Sequence, residues 1–153
     1  MGVKVITYGT FDLFHYGHYN LLKRARDLGD HLYVGVSSDA FCLEKGKVPF
    51  LNQEKRMEIV SSLRFVEEVF LEHSLEQKVD DVRKYGINLF ILGDDYKDIF
   101  PQMKEYKALL EMGCKVVFLE RTPNVSSTQL REIELKQAKL DANPNSLHNL
   151  TNI

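Results

Sequence analysis

Short apolar runs alternate along the chain with stretches of helical periodicity. The apolar runs predict five strands, at residues 3–8, 31–37, 67–71, 88–92 and 115–119. The spacing of apolar residues between them predicts helices that begin near Tyr16 or span residues 53–64, 75–85, 102–112 and 127–139. Asn52 is a candidate N-cap for the helix at 53–64, and Gly86 a candidate C-cap for the helix at 75–85. Strands that are apolar almost throughout and are separated by helices are typical of a parallel sheet covered on both faces. The pattern therefore predicts an α/β protein with a parallel five-stranded sheet and helices on both faces.

The length and hydrophobic content suit one domain. Of the 153 residues, 44% are hydrophobic, which is enough for a substantial core. We predict a single Rossmann-like domain over residues 1–140. Residues 141–153 are rich in Asn and lack periodicity, which indicates a tail that is mobile or packs against another subunit.

Composition narrows the setting and the partners. A net charge of −2 argues against broad binding to nucleic acid or to a membrane surface, because both need a strongly basic balance. We expect neither a signal peptide before Val3 nor a membrane span, since no apolar run reaches the roughly 20 residues needed to cross a bilayer. Cys42 and Cys114 are too few for a disulfide framework, so we expect reduced, buried thiols and a cytoplasmic protein.

A polar cluster lies at the junction of the first predicted strand and helix. The apolar run stops at Gly9, and His15 and His18 follow on one side of the first helical turn. The start of a helix exposes backbone N–H groups and the positive end of the helix dipole, so it attracts anions. Two imidazoles at this point predict a phosphate site of adjustable charge, and Gly17 between them permits close backbone approach to a ligand.

Two other interpretations of this histidine pair remain open at this stage. The histidines can be ordinary helix-start residues, one capping and one exposed. They can also form half of a zinc site, although no other His or Cys shows ligand spacing. The chain has no Gly-x-Gly-x-x-Gly fingerprint, no P-loop and no Gly-x-Ser-x-Gly elbow. These absences argue against a dinucleotide-binding fingerprint, a P-loop nucleotide site and a Ser-His-Asp triad.

A second polar cluster precedes the last predicted helix. Ser126, Ser127 and Thr128 can donate to phosphate oxygens or simply cap that helix. Arg121 follows the last predicted strand, where it can hold a phosphate or form a surface ion pair. In open parallel sheets, ligands gather at the carboxyl ends of the strands, where both clusters fall. Together they favour a nucleoside triphosphate as the ligand.

Other charged residues lie in the loops and turns near these clusters. Lys45 and Lys47 belong to one loop, where two cations can reach a polyphosphate or remain solvated. Arg56 falls in the following helix, on its turn-facing side or on its surface. Asp12 and Asp95 suit turns but are also candidate Mg²⁺ ligands, or partners of groups that hold Mg²⁺, because Mg²⁺ usually binds through one or two carboxylates plus substrate phosphates.

The motifs resemble the cytidylyltransferase branch of the HxGH nucleotidyltransferases. The resemblance rests on Gly-Thr-Phe-Asp at residues 9–12, on His-Tyr-Gly-His at residues 15–18, and on Arg121-Thr122 ahead of residues 125–128. It runs from about Val3 to Glu132, and it is greatest to the enzymes that use glycerol 3-phosphate. It implies transfer of CMP from CTP to a small phosphorylated acceptor with release of pyrophosphate, Mg²⁺ as the cofactor, and a homodimer.

The resemblance also implies roles for individual residues. His15 and His18 would contact the α-phosphate of CTP and stabilise the charge of its transition state. The implied catalytic residues are His15, His18, Lys47 and Arg121. The implied nucleotide-binding residues are Thr10, Phe11, His15, His18, Asp39, Arg64, Asp95, Arg121, Ser126, Ser127 and Thr128. The implied acceptor-binding residues are Lys45, Lys47, Arg56 and Lys78.

Three alternatives stay open beside transfer to glycerol 3-phosphate. The acceptor can be phosphoethanolamine, phosphocholine or another phosphorylated metabolite of surface-polysaccharide synthesis. A second alternative is adenylyl transfer, since a Ser-Ser-Thr-x-x-Arg ending also occurs in adenylyltransferases. The third is a catalytically silent module that binds a nucleotide without releasing pyrophosphate.

Overall fold

The computed structural model describes residues 2–121 together with Leu135, Lys136 and Ala138, and these three residues are helical. Within the described residues one parallel sheet is formed, in the strand order β3-β2-β1-β4-β5. Its strands are β1 (Lys4–Gly9), β2 (His31–Ser37), β3 (Glu68–Glu72), β4 (Leu89–Gly93) and β5 (Lys115–Leu119). The helices are α1 (Tyr16–Asp27), α2 (Asp39–Glu44), α3 (Gln53–Ser61), α4 (Gln77–Tyr85) and α5 (Lys104–Glu111), and 3₁₀ turns span Asp94–Tyr96 and Phe100–Gln102.

Alternate residues of each central strand enter two separate cores. In β1, Val5 packs on one face with Leu22 of α1 and Val60 of α3. Its neighbour Ile6 packs on the other face, in a core that also contains Val82 of α4 and Leu109 of α5. Successive side chains of a strand point to opposite faces, so strands that are apolar throughout need helices on both sides. The predicted five-stranded parallel sheet with helices on both faces is confirmed.

The strand order reverses between β1 and β4, which run side by side at the centre of the sheet. The hydroxyl of Thr7, fully buried, donates to the carbonyl oxygen of Ile91 at 2.9 Å and ties the two strands together. The loops that follow β1 and β4 leave the sheet on opposite sides of this reversal, which opens a crevice at their carboxyl ends. The histidine motif follows β1 directly, so the fold places it at that crevice.

Several element boundaries differ from the sequence prediction. Helix α2 was not predicted; Ser38 caps it by accepting a hydrogen bond from the backbone N–H of Phe41 at 3.0 Å. Helix α3 begins after its predicted cap Asn52 but ends at Ser61 instead of residue 64. The hydroxyl of Ser62 bonds to the Ile59 carbonyl at 2.6 Å, and such local bonds compete with helix continuation. Strand β3 lies one residue later than predicted, so that it includes Glu72.

Two further predictions can be compared with the described residues. Cys42 and Cys114 are both buried and are not disulfide-bonded, which agrees with the prediction of buried thiols. None of the helices in the described part of the chain is long and apolar enough to span a membrane. The predicted hydroxyl cluster at residues 126–128, most of the predicted last helix and the tail at 141–153 lie outside the described residues.

Candidate functional site at the carboxyl ends of the strands

The first turn of α1 is closed by its two histidines. His15 is the N-cap residue, and its Nδ1 accepts a hydrogen bond from the backbone N–H of Gly17 at 3.0 Å. The backbone N–H of His15 in turn donates to Nδ1 of His18 at 3.3 Å. This is a capping box in which imidazoles replace the usual hydroxyl and carboxylate. The interpretation of His15 as a capping residue is therefore correct, but His18 is part of the same arrangement and not an isolated surface residue.

These backbone bonds determine which ring nitrogens can meet a ligand. Because both Nδ1 atoms accept, a neutral imidazole at either position carries its proton on Nε2. The two rings stack with centroids 3.9 Å apart and an angle of 21° between their planes. Nε2 of His15 is buried and has no hydrogen-bond partner among the described residues. A buried donor of this kind is costly unless a ligand satisfies it, so the pair is suited to bind an acceptor such as a phosphate oxygen.

The surroundings of both imidazoles favour their neutral form. Burial, the neighbouring His15 and the charge of Arg121 lower the pKa of His18 to about 4, although Asp12 acts in the opposite direction. Burial and the charge of Arg121 also lower the pKa of His15. The charge of the histidine pair is therefore less adjustable near neutral pH than the sequence suggested. Each ring instead offers a neutral Nε2–H donor, and Arg121 lies near enough to influence both.

The loop between β1 and α1 holds an unusual backbone conformation. Phe11 and Leu13 have φ values of 53° and 49°, in the left-handed region that bulky residues rarely adopt. The Phe11 ring lies in the core at 3% exposure and meets the His18 ring edge-on, with centroids 5.6 Å apart. Phe11 therefore positions His18 through its side chain, and any contact of Phe11 with a nucleotide would be made by its backbone.

Asp12 connects this loop to the one before α3. Its two carboxylate oxygens accept hydrogen bonds from the backbone N–H groups of Phe50 at 2.6 Å and Leu51 at 2.9 Å, and the residue is 2% exposed. These bonds give Asp12 a structural role that the sequence analysis did not predict. A carboxylate engaged in this way is a poor match for the predicted Mg²⁺ ligand, because its oxygens already neutralise backbone donors.

Arg56 is buried in the middle of the same region and is not a surface charge. Its guanidinium donates to the carbonyl oxygens of Leu51, Thr10 and Ser37 at 2.7–2.9 Å and to a carboxylate oxygen of Asp39 at 2.7 Å. Arg56 is 0% exposed. It therefore holds together the loops that follow β1 and β2. The predicted contact of Arg56 with the acceptor would require this fork of donors to leave its protein partners.

Two of the three predicted acceptor lysines, Lys45 and Lys78, are linked at the ends of β2 and β3. Nζ of Lys78 forms an ion pair with a carboxylate oxygen of Glu72, which is 2% exposed. The other oxygen of Glu72 accepts from the hydroxyl of Ser37 at 3.0 Å, and that hydroxyl accepts from Nζ of Lys45 at 3.2 Å. Burial and the charge of Lys45 lower the pKa of Lys78 to about 7. Residues far apart in sequence thus form one continuous series of polar contacts, which runs from Lys45 through Ser37 and Glu72 to Lys78.

Arg121 and Asp95 meet at the ends of β5 and β4. Their side chains form an ion pair at 3.1 Å, and both remain more than half exposed. An exposed pair of this kind is weak and can open to admit a ligand. The pair brings a predicted nucleotide-binding arginine and a predicted magnesium-binding carboxylate together beside the histidine turn.

The remaining predicted residues are placed as follows. Thr10 directs its carbonyl oxygen to Arg56, and its hydroxyl lies 4.0 Å from the sulfur of Cys42. Lys47 and Arg64 are exposed. Within residues 2–121 and the three later helical ones, no group of three or more His, Cys, Asp and Glu is arranged to hold a metal ion. The described region thus contains no complete zinc site around His15 and His18.

Ser37 and Glu72 were missed by the sequence analysis. Both are the last residues of their strands, and each is polar at the end of an apolar run. The rule that drew attention to the histidines after Gly9 and to Asp95, polar residues beyond a carboxyl strand end, would have found them too.

The fold and the site define a nucleotidyltransferase-type α/β protein, with a neutral histidine pair and several cationic side chains around one strand edge. Residues 6–133 match the family described as cytidylyltransferase-like, and the chain belongs to that family. This confirms the resemblance inferred from the motifs.

Curated relatives with named activities extend this result. The chain is 47% identical over 129 residues to a glycerol-3-phosphate cytidylyltransferase of Bacillus spizizenii, covering 84% of this chain and 95% of the relative. It is 40% identical to the enzyme of the same name from Staphylococcus aureus, over 89% of this chain and 98% of the relative. It is 35% identical to an ethanolamine-phosphate cytidylyltransferase of Arabidopsis thaliana, but covers 31% of that longer protein.

Solved structures agree on the fold. A lipopolysaccharide core biosynthesis protein from Thermoplasma volcanium superposes with a TM-score of 0.66 at 26% identity, over 80% of this chain and 98% of the other. A pantoate-beta-alanine ligase from Francisella tularensis superposes with a TM-score of 0.53 at 16% identity, over 84% of this chain and 67% of the other, which supports the fold and nothing finer.

Proposed function

We propose that this protein transfers CMP from CTP to glycerol 3-phosphate and releases pyrophosphate. A phosphate oxygen of the acceptor would attack the α-phosphorus of CTP, and the bond from that phosphorus to the bridging β-phosphate oxygen would break. The products are CDP-glycerol and pyrophosphate. The acceptor is already an anionic nucleophile, so the protein has to align it, reduce charge repulsion and stabilise the leaving group.

The observation that carries the proposal is the stacked pair of His15 and His18. Their Nδ1 atoms are held by backbone N–H groups, so each neutral ring presents Nε2–H to a ligand. Donors fixed in advance toward phosphate oxygens stabilise the charge that spreads over them in the transition state. The helix dipole of α1 favours the same anion. The choice of glycerol 3-phosphate is supported by the relatives of that name at 40–47% identity over most of the chain.

The lysines and Arg121 supply the positive charge that two anionic substrates need. Lys45 and Lys78 would receive the acceptor phosphate, and Lys47 on the exposed loop would assist at the α-phosphate. Arg121 would hold the nucleotide phosphates after leaving its ion pair with Asp95. Ser126, Ser127 and Thr128 would contribute further donors to the β- and γ-phosphates.

Mg²⁺ is proposed as the cofactor. When bound, it would neutralise charge on the triphosphate and on the departing pyrophosphate. Asp95 is the better fitted of the two predicted ligands, since its carboxylate is exposed and engaged in a surface ion pair. The oxygens of Asp12 bind backbone N–H groups.

The assembly and the compartment are proposals as well. The family resemblance supports a homodimer, which light scattering coupled to size-exclusion chromatography would test. The two reduced thiols, Cys42 and Cys114, suit a reducing compartment such as the cytoplasm.

A pyrophosphate-release screen tests the proposed reaction. CTP and ATP are each combined with glycerol 3-phosphate, phosphoethanolamine, phosphocholine and sugar phosphates in the presence of Mg²⁺. Fastest release with CTP and glycerol 3-phosphate is expected, with CDP-glycerol identified by mass spectrometry. A preference for another acceptor or for ATP would reassign the substrate. Binding of CTP without pyrophosphate release in any combination would instead identify a silent nucleotide-binding module.

A further inference from the structure

The carboxylate of Glu72 is linked to the two lysines proposed to receive the acceptor phosphate, directly to Lys78 and through Ser37 to Lys45. One oxygen forms the ion pair with Nζ of Lys78. The other accepts the Ser37 hydroxyl at 3.0 Å, and Ser37 accepts from Nζ of Lys45 at 3.2 Å. The hydroxyl of Ser37 has one proton to give, so a bond to Glu72 leaves its lone pairs for Lys45. The direction of each hydrogen bond is therefore determined along the whole chain from Lys45 to Lys78.

The burial of these charged groups costs free energy, which indicates that the arrangement serves a function. Glu72 is 2% exposed and Lys78 is 6% exposed, and burying such charges costs more than a surface pair returns. Nζ of Lys78 also lies over the Tyr8 ring, 4.4 Å from its centroid. Nζ of Lys45 lies over the Phe41 ring at the same distance. Both ammonium groups are thus confined by an aromatic face and by the Glu72 chain together.

Charged groups on the helix of Lys78 and on neighbouring elements surround its ammonium group. Lys45, which follows α2, lowers the pKa of Lys78, whereas Asp81 on α4 and Glu105 on α5 raise it. Glu72 on β3 pairs with it directly, and Tyr8 on β1 is bonded through its hydroxyl to Asp81 at 2.8 Å. The two neighbouring ammonium groups of Lys45 and Lys78 repel each other. The Glu72 carboxylate, which pairs with Lys78 and is linked to Lys45 through Ser37, reduces that repulsion.

We propose that Glu72 is a positioning residue for the acceptor: it orients the ammonium groups of Lys78 directly and of Lys45 through Ser37, so that both receive one phosphate dianion. This rests on the proposed function, since it takes the two lysines as the acceptor site. Glu72 itself repels a phosphate and acts through the lysines. Its removal therefore weakens binding of the acceptor much more than binding of CTP.

The test compares Glu72→Gln with Glu68→Gln. Glu68 lies on the same strand, is exposed and bonds to the Tyr85 hydroxyl, so it controls for the loss of one carboxylate from β3. For Glu72→Gln, the KM for glycerol 3-phosphate should rise about tenfold while the KM for CTP changes less than about twofold. Glu68→Gln should leave both constants at the wild-type value. Equal changes in the two constants, or none, would overturn the proposal.

A pH profile separates positioning from a purely structural role. Loss of the Glu72 charge disfavours the protonated form of Lys78, so the pH above which the acceptor KM rises should fall by about one unit in Glu72→Gln. Ser37→Ala removes the link to Lys45 and leaves the pair with Lys78. Ser37→Ala should raise the acceptor KM severalfold, but the pH above which that KM rises should stay at the wild-type value. If the pH above which the acceptor KM rises is the same in Glu72→Gln and in the wild type, the inference is contradicted.

Two further arms keep the result interpretable. If Glu72→Gln does not fold, Ser37→Ala decides, and an unchanged acceptor KM in that variant overturns the proposal. If the wild-type protein releases no pyrophosphate with any acceptor, the proposed function fails separately. The Lys78 pKa, followed by NMR of ¹³C-labelled lysine, then still tests Glu72: equal values in the wild type and in Glu72→Gln would refute the coupling.

Discussion

The rings of His15 and His18 stack 3.9 Å apart, and the backbone N–H of His15 donates to Nδ1 of His18. One residue thus fixes the tautomer of the other, while His15 is itself fixed by the N–H of Gly17. The same turn that starts α1 therefore prepares two Nε2–H donors. Helix capping and ligand binding are performed here by the same two side chains.

Removal of His18 should abolish most of the activity and leave the fold intact. In His18→Ala, pyrophosphate release should fall by about 10²–10³-fold, the usual effect of losing one pre-organised donor. Circular dichroism should show an unchanged fold. His73→Ala is the matched control, since His73 is exposed and its hydrogen bond to the Gln77 side chain comes from its backbone N–H, which the substitution retains. Wild-type turnover in folded His18→Ala would refute the assignment.

The low pKa of His18 should make the protein less stable in acid. The folded-state pKa is about 4 and the ordinary value is 6.5, so the unfolded chain binds more protons as the pH falls through this window. The free energy of unfolding should drop by about 2 kcal/mol between pH 7.5 and pH 5 through this residue.

Urea unfolding of the wild type, His18→Gln and His73→Gln at both pH values measures this contribution. His18→Gln should lose less stability on acidification than the wild type, while His73→Gln should behave like the wild type. A difference of the opposite sign would mean that His18 is stabilised in its charged form.

Arg56 should matter chiefly for stability. Arg56→Ala leaves carbonyl oxygens of the Thr10, Ser37 and Leu51 backbone without their buried donor and should lower the free energy of unfolding by about 3–5 kcal/mol. Lys55→Ala on the exposed side of the same helix should stay within about 0.5 kcal/mol of the wild type. Both are measured by urea unfolding. A stable Arg56→Ala protein with a raised acceptor KM would instead support direct contact with the acceptor.

Substitution of Asp95 and substitution of Asp12 should have different effects on the Mg²⁺ dependence of the activity. Asp95→Asn removes the carboxylate proposed as a ligand, so the Mg²⁺ concentration for half-maximal activity should rise severalfold. Asp12→Asn should leave that concentration unchanged. Titration of pyrophosphate release with Mg²⁺ measures both, and an increase confined to Asp12→Asn would reverse the assignment.

Asp12→Asn should act through the loop before α3. An amide has one neutral acceptor oxygen in place of the two charged ones that bind Phe50 and Leu51, so one backbone N–H loses its acceptor and the other keeps only an uncharged one. A loss of about 1–3 kcal/mol in the free energy of unfolding is expected. Asp27→Asn, which removes an exposed ion pair with Lys23, is the control and should change little. Equal stabilities of the two variants would show that the loop does not depend on Asp12.

Much of the architecture was predictable because it depends on local pattern. The apolar runs located the strands to within one or two residues, and Asn52 and Gly86 were recognised as the ends of helices. The errors were shifted element boundaries and one short helix that was not predicted. Helix α2 is a short element held by its Ser38 cap, and β3 is shifted by one residue, a change that the hydrophobic pattern does not resolve.

The candidate site was only partly predictable for a different reason. His15 and His18 could be recognised because both lie in one turn, where spacing in sequence is spacing in space. The roles of Arg56 and Glu72 could not, since their partners are contributed by other strands and loops. Arg56 resembles a surface charge in the sequence and is fully buried in the structure.

The amino-acid order by itself determined the alternating α/β pattern, the histidine turn after β1 and the family, because each depends on residues close together in the chain. The tertiary structure decided which polar groups share an environment: it buried Arg56 among backbone carbonyls, engaged both oxygens of Asp12, and joined Lys45 to Lys78 through Ser37 and Glu72. Hydrogen bonding and burial depend on distances across the sheet, and these exist only once parallel strands from remote parts of the chain lie side by side.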